Sequence, residues 1–108
     1  MSVHRVRLES GEERSYGTLE ELVADVDLAI LGASPEAFEC YESAIRAEYA
    51  GVPEVEFRAG RARVLRSFLD RRAIFTTPVM HEALERRARA NLRIALTKPT
   101  PANHPDCP

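Results

Sequence analysis

Apolar residues recur at three- and four-residue spacing through most of this chain, and each stretch is bracketed by helix start and stop signals. In the first, residues 18–32, Thr18 and Glu21 have the spacing of a capping box, and Gly32 supplies the stop. Its stripe is Leu19, Leu22, Val23, Val26 and Ile30. The second takes Ser34 as cap and Pro35 in its first turn, and ends at Gly51. Phe38, Tyr41, Ile45 and Tyr49 mark its inward face. Pro53 opens the third, which carries Phe57, Val64, Leu65, Phe68 and Leu69. The fourth begins after Thr77 with Pro78 and runs to about residue 96 through Met80, Leu84, Ala88 and Leu92. The pattern predicts an all-α fold of about four amphipathic helices whose aromatic and Met stripes form the core. Gly60 falls mid-helix, where it costs about 1 kcal/mol against Ala. Close approach by another helix or a ligand is the expected compensation.

The flanks read differently. Residues 1–17 are weakly patterned through Val3, Val6 and Leu8, with Ser10-Gly11 as a turn. They predict a leader that is either a short hairpin or disordered. Residues 98–108 hold four prolines in eleven positions and almost no apolar side chains, which predicts a flexible tail. The helical domain is thus expected over residues 18–97. At 108 residues and 44% apolar, the chain can bury one modest core. No apolar run reaches the ~20 residues of a membrane span, and residues 1–5 lack the apolar stretch of a signal peptide. Cys40 and Cys107 show no metal-ligand spacing. Cys40 is expected as a reduced thiol on a helix and Cys107 in the tail, which fits a cytoplasmic location.

Charge changes the picture more than composition does. Residues 1–56 carry 13 acidic and 4 basic groups, whereas residues 57–108 carry 4 acidic and 11 basic. One reading is that acidic early helices pack beside basic later ones. The other is an arginine face for phosphate, which arginine suits through its planar fork of donors. The net charge of −2 argues against bulk affinity for nucleic acid.

The residues with the most chemical promise are Asp25 and Asp27. On a helix they lie about 160° apart, on opposite edges of the Leu22/Val26/Ile30 stripe. One can lean into a cavity beside the core while the other faces solvent or a basic neighbour. By spacing alone, such a pair is an ordinary solvated or salt-bridged one. Along the later helices, Arg46 is spaced to pair with Glu42, and Arg58 with Glu54.

Four runs taken together carry a resemblance: Asp25-Val26-Asp27-Leu28-Ala29-Ile30-Leu31-Gly32, Ile45-Arg46-Ala47-Glu48-Tyr49, Phe57-Arg58-Ala59-Gly60-Arg61 through Phe68-Leu69, and Ala88-Arg89-Ala90-Asn91-Leu92. In that order the chain resembles the C-terminal half of a bacterial family, the predicted metal-dependent phosphohydrolases of the HD superfamily. The resemblance covers residues from about 20 to 97. It implies an all-helical bundle around a divalent metal held by an early His, an adjacent His-Asp pair and a later Asp. The last corresponds here to Asp25. Such a metal would activate water for attack on phosphorus. The resemblance also places Arg46, Tyr49, Arg58 and Arg61 at polar positions that would meet phosphate oxygens in a complete enzyme.

Only His4 precedes Asp25, and no His-Asp occurs anywhere in the chain. A catalytic divalent ion needs several protein ligands. The resemblance therefore implies a truncated or degenerate phosphohydrolase, inactive as this chain and binding no metal alone. Its first helix should carry apolar surface where missing helices once packed, a patch suited to self-association or a partner. The alternative is a small helical interaction module, acting as a homodimer or as a subunit that completes a separate polypeptide.

Overall fold

A computed structural model describes residues 3–7 and 13–98. Two antiparallel strands, β1 (Val3–Arg7) and β2 (Glu13–Thr18), precede four helices: α1 (Leu19–Asp27), α2 (Pro35–Glu48), α3 (Glu54–Leu69) and α4 (Pro78–Thr97). The fold is all-α apart from these two paired strands. Its register pairs Arg5 with Ser15 and Arg7 with Glu13, with an irregularity between Val3 and Arg5. Ser10-Gly11 and the tail with His104 and Cys107 lie outside the described residues. Among the described residues no helix is long and apolar enough to cross a membrane.

The start signals act as their chemistry requires. Thr18 Oγ1 accepts from Glu21 N at 3.2 Å, and Glu21 Oε1 accepts from Thr18 N at 3.1 Å, completing the capping box of α1. Ser34 Oγ accepts from Ala37 N at 3.2 Å at the head of α2. Pro53 caps α3, and Pro78 is the first residue of α4.

The first helix is shorter than its pattern predicts. It ends at Asp27, and residues Ala29–Gly32 form a 3₁₀ turn. The cause lies on α4. Asn91 Nδ2 donates to Leu31 O and Ala33 O, both at 2.9 Å, drawing the turn onto α4. Gly32 permits that approach, since a Cβ there would stand 2.7 Å from Leu84 Cβ. Gly60 has no such role. Among the described residues nothing lies within 4 Å of where its Cβ would be, so no other helix makes the expected close approach.

Leu31, Phe38, Leu65, Ile74, Phe75, Ala88 and Leu92 form the buried core. Tyr41, Phe68, Leu69, Met80 and Leu84 pack around it, in line with the predicted faces of α2, α3 and α4. Tyr49 departs from its stripe and is 54% exposed. The first helix departs further. Asp25 is its buried residue, while Leu19, Val23 and Val26 are 55%, 52% and 58% exposed. Positions 22, 25 and 28 turn inward and positions 19, 23 and 26 outward. Both sets have helical spacing, so periodicity alone could not choose between them.

Candidate functional site

Residues 70–77 join α3 to α4 without regular structure, yet Ile74 and Phe75 are each only 1% exposed. Burying this backbone strands its N–H groups unless acceptors are supplied. Two carboxylates supply them. Glu85, on the second turn of α4, accepts from Ile74 N at 3.0 Å and from Phe75 N at 3.0 Å. Asp25 accepts from Thr76 N at 2.9 Å, Thr77 N at 2.8 Å and the Thr77 hydroxyl at 2.6 Å. Four consecutive backbone donors thus end on two acidic side chains, one reaching back from α4 and one crossing from α1.

Asp25 also answers a local need of α4. Thr77 is the N-cap of that helix, but its side chain caps nothing there, and the first turn carries no acidic residue. The Asp25 carboxylate puts negative charge at this N-terminus, where the exposed N–H groups favour it. Of the Asp25/Asp27 pair, Asp25 takes the interior position and Asp27 the exposed one.

Arg89 fastens the other end of the same segment. Its Nε donates to Glu85 Oε2 at 2.7 Å, its Nη1 to Leu69 O at 3.1 Å and its Nη2 to Arg71 O at 2.8 Å. The guanidinium therefore closes the C-terminal end of α3 while neutralising Glu85. Burial raises the Glu85 carboxyl pKa, but the Ile74 and Phe75 N–H groups and Arg89 outweigh it. The group is held below its ordinary 4.5. His81 Nε2 stands 3.8 Å from Glu85 Oε1.

The four residues that resemblance places near phosphate separate into distinct roles. Arg61 is bonded through two nitrogens to Glu42, at 2.9 and 2.6 Å, with side chains 14% and 5% exposed. That contact raises the Arg61 pKa against a desolvation that alone would lower it. Its guanidinium also lies 5.9 Å from the Tyr41 ring centroid. Arg46 pairs with Glu54 at 3.2 Å, donates to Tyr49 O and Val52 O, and stacks 4.7 Å from the Phe57 ring centroid. It thereby closes the turn from α2 to α3. Tyr49 is exposed beside Phe57. Arg58 is exposed and forms no salt bridge among the described residues.

The expected i,i+4 pairs, Arg46 with Glu42 and Arg58 with Glu54, are both replaced by links between α2 and α3. Glu42 is buried at the interhelical contact, where Arg61 reaches it, and Glu54 lies across the turn from Arg46. A buried carboxylate is satisfied by the donor that can follow it inward, and spacing along one helix does not identify that donor.

A divalent ion at Asp25 would need lone pairs and further anionic or imidazole ligands. The carboxylate instead accepts three N–H and O–H donors. Among the described residues no group of three or more His, Cys, Asp or Glu side chains gathers to hold a metal. This donor set does not fit a metal centre. Cys40, expected as a free thiol, is disulfide-bonded on α2.

Sequence reasoning passed over Glu85 and the Glu42–Arg61 pair, and gave Arg89 and Asn91 no role although both stand in a run that carries the resemblance. The four-residue spacing of Glu85 and Arg89 was a further signal. Compared with known protein families, curated proteins and solved structures, the chain matches none.

Proposed function

We propose that this chain supplies the late helices of an HD-type phosphohydrolase and does not hydrolyse phosphate esters by itself. The observation that carries the reading is Asp25, the residue that the resemblance sets at a metal ligand's place. It is 1% exposed and saturated with backbone and hydroxyl donors from residues 76 and 77. A carboxylate so engaged holds the fold together. In a complete family member a divalent metal would supply the activated water, and among the described residues no set of ligands gathers for it. The test is metal analysis of the purified chain alongside hydrolysis of phosphomonoesters and nucleotides. No stoichiometric metal and no turnover above blank is the expected result. A stoichiometric divalent ion, with activity abolished by Asp25→Asn, would overturn the reading.

A second reading has its own observation. Leu19, Val23 and Val26 form an exposed apolar stripe on α1, of the kind that contacts a partner. On this reading the chain is an interaction module that pairs with itself or with a polypeptide bearing the His and His-Asp helices. Sedimentation of the chain with and without such a partner distinguishes it, since Val23→Glu should abolish any complex formed. A cytoplasmic location belongs to the same proposal.

A further inference from the structure

Between α3 and the last turn of α4 lies a cleft of ≈ 760 Å³, within the usual size of small-molecule sites. Its lining includes Arg58, Arg63, Arg66 and Lys98, with Leu65 and Leu96 contributing apolar surface. The helical spacing of α3 explains the hollow. Arg58, Ala62 and Arg66 fall on one row and Ala59 and Arg63 on the next, so alanines open a depression between arginines. None of the four cations forms a salt bridge among the described residues. Arg61 also lines the cleft, but Glu42 already neutralises it. Asp70 is the single acidic group among the described lining residues.

This cleft shares no residue with the Asp25 anchor, although its Asp70 end borders the 70–77 segment. Its other end at residues 95–98 is about 27 Å along α4 from Thr77, at 1.5 Å per residue. It therefore needs no metal centre, and it stands whether or not the chain is a phosphohydrolase remnant.

We propose that the cleft binds a small compound bearing two or more phosphate groups. Among the described residues, these four cations against Asp70 leave a surplus of three positive charges. Each phosphate group carries about −1.5 to −2 near pH 7, so two of them match that surplus. Three of the four cations are arginines, whose forked donors take phosphate oxygens in pairs. A long nucleic acid is disfavoured, because it would have to pass beyond the cleft over a chain whose first 56 residues carry 13 acidic groups.

Titration calorimetry of the full chain with inorganic pyrophosphate and tripolyphosphate, at near-physiological salt, tests this. One site per chain is expected, with affinity falling at least tenfold in Arg58→Ala and in Arg66→Ala. Arg87→Ala, an exposed cation of α4 outside the cleft, should leave it unchanged. Circular dichroism should show all three variants folded, since the replaced side chains are exposed. Absence of binding, or binding indifferent to Arg58 and Arg66, would overturn the proposal. So would tighter binding of a 20-nucleotide oligomer than of tripolyphosphate, which would make the face a nucleic-acid surface.

Discussion

Charged side chains are consumed by the fold at the head of α4 and left over along α3. Around residues 70–77, Asp25, Glu85 and Arg89 meet backbone groups or one another, and Ile74 and Phe75 are buried as a result. Along the cleft side of α3, Arg58, Arg63 and Arg66 have no salt-bridge partner among the described residues. A paired, buried charge is spent on architecture, and removing its partner exposes the full desolvation penalty. An unpaired, exposed charge adds little to stability and stays available to a ligand. The residue with the most catalytic look, Asp25, stands on the architectural side.

Substitutions should separate the two regions in order of size. Asp25→Ala should cost about 3–4 kcal/mol in urea unfolding, because the buried Thr77 N–H and hydroxyl lose a charged acceptor. Next, Arg61→Ala should cost about 3 kcal/mol by stranding Glu42 in the α2–α3 contact. Arg58→Ala, three residues away on the same helix, should stay within about 0.5 kcal/mol of wild type. Equal costs at the two arginines would erase the distinction.

Glu85→Gln should cost about 1–2 kcal/mol at neutral pH and should also alter the acid limb of stability. The folded carboxyl lies below its ordinary 4.5, so the folded state releases that proton more readily than the unfolded one. Its stabilisation is complete above pH 4.5 and is lost as pH falls through the depressed folded value. Unfolding followed from pH 6 downward (a range of about three pH units suffices) should show a shallower decline in Glu85→Gln than in wild type.

The smallest effect contrasts two glycines. Gly60→Ala should stabilise by about 0.5–1 kcal/mol, since the added methyl enters open space in a helix. Gly32→Ala should destabilise, because the methyl meets Leu84 at 2.7 Å.

Helix starts were legible in the sequence because they are local chemistry, whereas the stop expected at Gly32 was not, since α4 draws residues 29–32 into a 3₁₀ turn. Thr18 with Glu21, Ser34 with Pro35, and Pro78 act within three residues of themselves. Inward faces were legible for α2 and α4, where one stripe dominates. On α1 two sets shared the same spacing, and the deciding partner, Thr77, lies 52 residues away. The same distance problem hid Asn91, whose contacts reach back 58 and 60 residues to Ala33 and Leu31. Ile74 and Phe75 stand outside any periodic stretch, so nothing in the pattern marked them as core. The side of α1 left to solvent holds Leu19, Val23 and Val26.

The central claim is that Asp25 serves the fold rather than a metal. Thermal unfolding of wild type and Asp25→Asn, each in chelator and in excess manganese or magnesium, tests it most directly. The account predicts one wild-type Tm in every condition and an Asp25→Asn Tm lower by about 5 °C or more throughout. A wild-type Tm that rises with metal, with the rise abolished by Asp25→Asn, would contradict it.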